Sequence, residues 1–266
     1  MDLQLNGKRA IVTGGSRGIG KAIALALASE GVAVALVARN AGPLEQTARE
    51  IAAKTGSRVI GVIGDTGDDE SVKKMVAEVA SQLGGIDILV NCAAKPGGQG
   101  PVPTLKDITA DAFNGEMNVK VMGYLRCARE VFPHMASRGW GRIINISGLA
   151  ARNSGSTIGS MRNIAVAAMT KNLADELGPQ GINVTVVHPG TTRTEATPGV
   201  IARRASAAGV SEAEMERRMA EGNSVRRMIN AADIANVVTF LASPLSVAIN
   251  GDAIAAGGGV GRAIYY

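Results

Sequence analysis

Short apolar runs of strand length alternate along the chain with longer segments in which apolar residues recur at helical spacing. The strand-like runs are Arg9–Thr13, Val32–Ala38, Val59–Ile63, Ile86–Asn91, Arg142–Ile146 and Ile182–His188, and a last short run is Asp252–Ala256. The helical segments are Lys21–Ser29, Leu44–Thr55, Asp69–Leu83, Ala112–Arg138 and Ile164–Leu177. Because strands joined through helices form right-handed crossovers, the alternation predicts a parallel sheet covered on both faces. The predicted fold is α/β, a doubly wound sheet in three αβα layers.

Size and composition favour a single domain. Of the 266 residues, 46% are hydrophobic and 19% are charged, which suits one large core. The regular alternation is interrupted once, at about residues 191–227, a segment that contains three glycines, the arginine pairs Arg203-Arg204 and Arg217-Arg218 and a short helical stretch, Glu212–Ala220. A segment after the sixth strand lies at the carboxyl edge of the sheet, where ligands bind in such folds. It predicts a mobile substrate lid, and a solvated pair of surface helices is the alternative.

Charge and cysteine content exclude several classes of protein. The formal net charge is +5, but the basic residues are interleaved with glutamates, which favours an enzyme with an anionic cofactor over a nucleic-acid-binding protein. The first apolar run begins by Ala10 and no run is long enough to span a bilayer, so we expect a cytoplasmic protein without a signal peptide or a membrane partner. Cys92 and Cys127 have no metal-site or disulfide spacing and are expected to be free thiols.

A glycine-rich turn joins the first strand to the first helix. It reads Thr13-Gly14-Gly15-Ser16-Arg17-Gly18-Ile19-Gly20. Glycines at these positions allow a sharp turn and a close approach of the backbone to a ligand. The backbone N–H groups and the positive end of the helix dipole then face a pyrophosphate. The turn therefore predicts a dinucleotide site.

The end of the second strand predicts which dinucleotide binds. The chain reads Val37-Ala38-Arg39-Asn40 where such a fold contacts the adenosine ribose. An NAD site needs a carboxylate there, and this stretch has none. Arg39 and Arg17 together offer two guanidiniums to a 2′-phosphate, which predicts NADP(H) in preference to NAD(H).

Further motifs at successive strand ends resemble those of the short-chain dehydrogenases/reductases. Besides the glycine turn, they are Asp65-Thr66, Asn91-Cys-Ala-Ala94, Asn118, Asn145-Ile-Ser147, Pro189-Gly190 followed by Thr194, and Ile249-Asn-Gly251 followed by Gly257-Gly-Gly259. The resemblance covers nearly the whole chain. It implies a Rossmann-type sheet of seven strands in the order 3-2-1-4-5-6-7, oxidoreductase chemistry on a small molecule, and often a homotetramer or homodimer built on the fourth and fifth helices. The cofactor residues it implies are Gly14, Ser16, Arg17, Gly18, Ile19, Gly20, Arg39, Asp65, Thr66, Asn91, Ala93, Asn163, Pro189, Gly190, Thr192 and Thr194.

The tyrosine and lysine that perform the family's proton transfer are absent. When Thr170–Gly178 is aligned with the family's fifth helix, Gly159 takes the place of the tyrosine and Asn163 that of the lysine. Neither supplies a proton or a cation, although the Asn163 amide could bond a ribose hydroxyl. Among the family's other catalytic positions, Asn118 is present. Ser147 is the candidate serine, since the usual Ser-Ser pair reads Ser147-Gly148.

The missing donor leaves the reaction open. The three tyrosines are Tyr124, Tyr265 and Tyr266, and none can be realigned to the catalytic position. Candidate replacement donors are Lys95, Ser154, Ser156, Thr157, Ser160, Arg162 and His188. The hydroxyl residues could equally be helix caps, Arg162 a surface charge and His188 a strand-end residue. Three functions remain: an NADP-dependent oxidoreductase with rebuilt acid and base groups, a silent nucleotide-binding pseudoenzyme or sensor subunit, and a non-redox enzyme that reuses the cleft.

Overall fold

The computed structural model describes residues 1–94 and 102–261, and its centre is a seven-stranded parallel sheet. The strands are β1 Arg9–Thr13, β2 Ala33–Ala38, β3 Val59–Ile63, β4 Ile88–Asn91, β5 Gly141–Ile146, β6 Ile182–Pro189 and β9 Ala253–Ala256. Two short strands, β7 Thr192–Arg193 and β8 Ile229–Asn230, form a separate ladder. The order in the large sheet is β3-β2-β1-β4-β5-β6-β9. Because β9 is its seventh strand, the predicted order is confirmed, and the fold is of the Rossmann type.

Helices cover both faces of the sheet. They are α1 Gly18–Ser29, α2 Ala41–Thr55, α3 Asp69–Leu83, α4 Ala110–Glu116, α5 Gly123–Ala136, α6 Thr157–Leu177, α7 Thr197–Ala208, α8 Glu212–Glu221 and α9 Ala231–Ala242. The sequence pattern did not predict α7 or α9. The long helix predicted over Ala112–Arg138 is divided by a π-helical turn, Met117–Met122. Within the described ranges, no helix is both long and apolar enough to cross a membrane.

The core lies in two layers, one on each face of the sheet. Successive residues of a strand point to opposite faces, so Val12 packs in the layer beneath α1 and α9 while Ile11 packs in the layer beneath α3 and α5. Ile11 and Val12 are both fully buried. This two-sided burial explains why the strands read as continuous apolar runs rather than as alternating ones.

Polar side chains tie the carboxyl ends of the central strands together. The Thr13 hydroxyl accepts hydrogen bonds from the backbone N–H groups of Cys92 (3.0 Å) and Ala93 (3.2 Å). The Asn91 amide donates to the side-chain oxygen of Asn145 at 2.9 Å, and Asn145 donates to the Thr170 hydroxyl at 2.9 Å. These buried bonds fix the loops that leave β1, β4 and β5, which is where the candidate site is built.

Candidate active site

The glycine-rich turn is packed too tightly for side chains at three of its positions, and a Cβ on Gly15 would lie 2.9 Å from the carbonyl oxygen of Val12. Gly14 has a φ of +67°, and a Cβ placed on it would lie 3.0 Å from the carbonyl oxygen of Cys92. A Cβ on Gly20 would lie 2.3 Å from the carbonyl oxygen of Gly14. Gly18 is different, because its φ is +58° but a Cβ there would meet a single neighbour among the described residues, the Thr194 methyl, at 3.7 Å. The turn is therefore tightly packed against the protein at Gly14, Gly15 and Gly20, and it has free space at Gly18, where α1 begins.

An anionic group already occupies the open end of α1. The Gly18 N–H donates to a carboxylate oxygen of Glu195 at 2.7 Å. Glu195 lies between β7 and α7, so the segment after β6 folds over the turn. A helix N-terminus attracts anions through its free N–H groups and its dipole, and here the carboxylate oxygen stands in for a phosphate oxygen. The residues present therefore fit the pyrophosphate of a dinucleotide.

Two guanidiniums flank the turn. Arg17 and Arg39 are both exposed, and no hydrogen bond or ion pair engages either side chain within residues 1–94 and 102–261. Arg17 precedes α1 directly, and Arg39 follows β2, the neighbour of β1 in the sheet. The sequence from Val37 to Pro43 carries no acidic residue. Both cations are available for a ligand.

The other predicted cofactor residues lie at the same edge of the sheet, where most are engaged in local structure. The Ser16 carbonyl accepts from the Thr47 hydroxyl, Ile19 packs against the core, and Asp65 accepts from the Gly67 N–H at 2.9 Å. Buried Thr66 lies beside Val119.

At the end of β6, Pro189 closes the strand and the Gly190 N–H donates to Ala256. The Thr192 hydroxyl donates to the Gly190 carbonyl at 3.0 Å, and the Thr194 N–H donates to the Thr197 hydroxyl at 2.8 Å. These bonds hold the loop whose next residue, Glu195, reaches the turn.

Gly159 and Asn163 lie on the first two turns of α6. The Gly159 N–H donates to the Ser156 hydroxyl at 3.1 Å, and a Cβ on Gly159 would lie 2.8 Å from that oxygen and 3.1 Å from the Ser156 Cβ, with no other contact from the described residues within 4 Å. Asn163 is buried, and its carbonyl accepts from the Ser147 hydroxyl at 3.1 Å. The position aligned with the tyrosine therefore has few neighbours among the described residues, while the position aligned with the lysine is enclosed.

A lysine that sequence reasoning missed lies against Asn163. Lys120 Nζ donates to Asn163 Oδ1 and to the Ser147 carbonyl, each at 3.0 Å, and the residue is 3% exposed. Burial, and secondly the nearby Arg162 guanidinium, lowers the pKa of Lys120 to about 7. The sequence signal that could have identified Lys120 is its position two residues after Asn118. The apolar pattern did not resolve the register of this helix, so it did not show that Lys120 faces the site.

The predicted catalytic pair is not joined directly. The Asn118 amide donates to the Gly67 carbonyl at 3.0 Å, toward the loop after β3, and the Asn118 carbonyl accepts from Arg126. The Ser147 hydroxyl is directed to α6 instead. Lys120, from the same π-helical turn as Asn118, makes the connection to Ser147.

Two candidate donors have unexpected surroundings. The expectation that Arg162 is a surface charge is wrong: the residue is 9% exposed and forms an ion pair with Glu116, because α6 packs against α4 there. His188 is buried, and its Nδ1 accepts from the Gly148 N–H at 3.3 Å. Burial, followed by Arg152 and Lys120, lowers the pKa of His188 to about 4. A histidine that is neutral at physiological pH is a poor proton donor.

The remaining candidates have structural roles or lie outside the described residues. Ser156 caps α6, Thr157 begins that helix and is exposed, and the Ser160 hydroxyl donates to the Asn153 carbonyl. Exposed Ser154 lies in the loop before the helix. Lys95, Tyr265 and Tyr266 lie outside the described residues.

The cysteines are free thiols, as predicted. Loss of solvent around the thiols raises the pKa of Cys92 to about 11 and that of Cys127 to about 12. Neither is activated as a nucleophile, because a reactive cysteine needs a lowered pKa. No cluster of residues suited to holding a metal ion occurs in the part of the chain that the structure describes.

Comparison with known proteins identifies the family. The short chain dehydrogenase family model matches residues 8–205. The short-chain reductase protein NovJ of Streptomyces niveus is 35% identical over 251 residues, which are 94% of this chain and 92% of that protein. The structure of L-sorbose reductase from Gluconobacter frateurii, complexed with NADPH and L-sorbose, has a TM-score of 0.93 at 31% identity, covering 99% of this chain and 100% of the other. A 7α-hydroxysteroid dehydrogenase complexed with NADH has a TM-score of 0.86 at 31% identity, covering 98% and 97%. On this similarity of sequence and fold, the chain belongs to the short-chain dehydrogenase/reductase family.

Proposed function

We propose that the chain is an NADP(H)-dependent oxidoreductase that interconverts a carbonyl and an alcohol on a small molecule. The observation that carries this proposal is the anion held by the Gly18 N–H at the start of α1, beside two arginines without partners in the described ranges. The site accepts a negatively charged oxygen where a dinucleotide needs one. The reductases and dehydrogenases among its relatives support the redox activity over a silent or non-redox use of the cleft.

The choice of NADP(H) rests on this chain's own residues. Solved relatives carry either dinucleotide, since the L-sorbose reductase is complexed with NADPH and the 7α-hydroxysteroid dehydrogenase with NADH. Arg39 follows β2 where an acidic residue would select NAD, and Arg17 supplies a second cation from the turn. Two guanidiniums favour a 2′-phosphate and leave an unmodified ribose without a carboxylate partner.

The chain would hold the cofactor with groups from several strand ends. The Gly18 N–H would receive a pyrophosphate oxygen after Glu195 leaves it, and Asn163 would offer its amide to the nicotinamide ribose. When bound, the reduced nicotinamide supplies a hydride to the substrate carbon. The protein must then place the substrate oxygen next to a proton donor.

The segment at residues 191–227 is the proposed lid. It contains α7 and α8 and is fastened by an ion pair between Arg193 and Glu216 and by the β7–β8 ladder. Its Ser224 also lines a cleft with Leu149, Asn153 and the glycines after β9. We assign the substrate to this side, where the segment closes over the strand ends.

A patch of exposed apolar residues supports a homodimer or homotetramer built on the helices that the family uses. Met122 and Leu125 are 43% and 37% exposed at the start of α5, and Met161 and Ile164 are 49% and 52% exposed on α6. Burial of such side chains against a second copy would be favourable at roughly 25 cal/mol per Å². Light scattering should give a multiple of the 27.2 kDa chain mass, and a monomer would refute the assembly.

Calorimetry with each dinucleotide tests the cofactor assignment. NADPH should bind at least about tenfold more tightly than NADH, since charge-assisted bonds to phosphate contribute about 1.5–3 kcal/mol each. Arg39→Ala and Arg17→Ala should each weaken NADPH binding while leaving NADH binding nearly unchanged. Arg49→Ala is the matched control, because Arg49 is also exposed but lies on α2. Equal affinities for the two cofactors, or a preference for NADH, would contradict the assignment.

A further inference from the structure

We propose that Lys120 is the general acid of the carbonyl reduction and replaces the missing tyrosine and lysine from a different helix. This inference rests on the oxidoreductase function proposed above. Four features support it: the position of the amine, the two glycines at neighbouring family positions, the electrostatic surroundings of the amine and the proton that it can release.

The amine lies beside the position of the lost cation. Asn163 takes the place of the family's lysine on α6, and Lys120 Nζ lies 3.0 Å from its side-chain oxygen. The amine's second partner, at the same distance, is the carbonyl of Ser147 at the end of β5. Lys120 lies on the π-helical turn between α4 and α5. The positive charge that the family's lysine supplies from α6 is therefore supplied here from a different helix. Isolated π-helical turns frequently occur at functional sites.

Glycines stand at two positions where the family carries larger side chains. A Cβ on Gly148 would lie 3.2 Å from the Asn163 amide nitrogen, whereas a Cβ on Gly159 would meet only the Ser156 side chain among the described residues. The ring and the hydroxyl that relatives would place at these positions are therefore absent. An ammonium has three N–H donors, and the two bonds to Asn163 and Ser147 leave one for a ligand.

Charged and titratable groups face the amine from four elements. They are Arg162 from α6, Glu116 from α4, Cys92 after β4 and His188 at the end of β6. Burial is the largest influence on the pKa of Lys120 and Arg162 the second, and these outweigh the opposing effects of Cys92 and Glu116. The resulting pKa of about 7 means that ammonium and amine are both populated at neutral pH. A group with a pKa near the working pH is suited to general acid and base catalysis.

The proton balance of the reaction is complete with one lysine. Reduction of a carbonyl adds a hydride to carbon, which the bound NADPH supplies, and a proton to oxygen. As the carbonyl π electrons move to oxygen, the Lys120 N–H bond breaks and the new O–H bond forms. Lys120 becomes a neutral amine and recovers its proton from water. In the oxidation direction, the neutral amine accepts the alcohol proton.

Binding and NMR test the inference without a known substrate. Calorimetry establishes whether NADPH binds the wild type, and failure to bind would refute the proposed function and this inference with it. Lysine ¹³Cε and ¹⁵Nζ signals, with that of Lys120 assigned from Lys120→Arg, then report each titration with and without NADP⁺. We expect Lys120 to titrate near pH 7 and its signal to move when NADP⁺ binds, because a positively charged ring arrives beside the amine. The exposed Lys74 on α3 should not respond. If NADP⁺ binds but the Lys120 signal does not move, this inference is overturned while the proposed function stands.

Turnover of an activated ketone separates proton donation from a structural role. With 2,2,2-trifluoroacetophenone and NADPH, Lys120→Met should reduce the rate by about 10²–10⁴-fold, the usual contribution of a general acid, while NADPH affinity is kept. Lys120→Arg should keep the charge but lose the pH dependence near neutrality, because a guanidinium does not release its proton. Lys74→Met should behave as the wild type. If Lys120 had only a structural role, Lys120→Arg would keep the wild-type pH profile, and that result would overturn the inference. If the wild type does not reduce this ketone, the NMR titration of Lys120 decides whether the inference stands.

Discussion

Removal of the Lys120 amine should change how the stability of the protein depends on pH. Lys120 has a pKa of about 7 in the folded protein, whereas a lysine in the unfolded chain titrates near about 10.4. Between these values the unfolded chain binds more protons than the native protein, so the free energy of unfolding rises with pH. Below about pH 7 the lysine is protonated in both states, and the cost of burying its charge is present in full. As pH rises through 7, this cost is relieved.

The magnitude follows from the linkage between proton binding and folding. Each pH unit in which one proton separates the two states contributes about 1.4 kcal/mol. Because the native lysine is still half protonated at pH 7, the wild type should gain roughly 1.6 kcal/mol relative to Lys120→Met between about pH 7 and pH 8.5. His188 contributes mainly below this window, because its folded pKa is about 4, and Cys92 and Cys127 contribute above it, because theirs are raised. Lys120 also affects the pKa of His188 and of Cys92, but because those groups contribute mainly outside the window, the difference within it is set mainly by Lys120.

Urea unfolding at several pH values measures the effect. The single tryptophan, Trp140, packs beside Lys8 and Arg142 and provides a fluorescence signal. The free energy of unfolding of the wild type minus that of Lys120→Met should rise steadily from about pH 7 to pH 8.5. The free energy of unfolding of Lys74→Met should follow that of the wild type. Parallel curves for the wild type and Lys120→Met would refute the reasoning, because they would mean that Lys120 keeps an ordinary pKa in the folded protein.

Further predictions concern the cofactor site, the missing pair and the assembly. Arg39→Asp should reverse the preference to NADH by calorimetry, because a carboxylate repels the 2′-phosphate and accepts from a free ribose hydroxyl. Glu195→Gln should tighten NADPH binding by roughly tenfold, since the cofactor no longer displaces an anion from the helix N-terminus; unchanged affinity would mean that Glu195 does not compete. Gly159→Tyr with Asn163→Lys should not raise ketone reduction above the wild-type rate, because the new ammonium would lie beside that of Lys120; a large rise in rate would contradict this. Ile164→Glu should shift light scattering toward the monomer, and an unchanged mass would exclude this face from the interface.

The sheet was predictable because its strands are buried on both faces. Continuous runs of Val, Ile and Ala define β1 to β6 to within two residues at each end. Helix α9 was missed although its start carries a capping signal, in which the Asn230 N–H donates to the Asp233 carboxylate at 2.8 Å. Helix α6 begins at Thr157 rather than Ile164 because Ser156 caps it through the Gly159 N–H.

The cofactor half of the site was more predictable than the chemical half. Glycine turns and strand-end arginines act through the backbone and net charge, which the sequence displays directly. Lys120 acts through a side-chain position that depends on the π-helical turn at Met117–Met122, and an apolar pattern read with ordinary helical spacing does not place it. The Gly18–Glu195 contact joins residues that are far apart in the chain, so it could not be predicted before the fold was known.

A crystal structure of the NADP⁺ complex tests the central claim, that this family member binds NADP(H) and uses Lys120 at its chemical centre. We predict the 2′-phosphate between Arg17 and Arg39, a pyrophosphate oxygen in place of the Glu195 carboxylate, and Lys120 Nζ within about 3.5 Å of the position that a substrate oxygen takes beside nicotinamide C4. The account would be contradicted by a nicotinamide whose reactive carbon is separated from Lys120 by other side chains, with a different proton donor in contact with the substrate position.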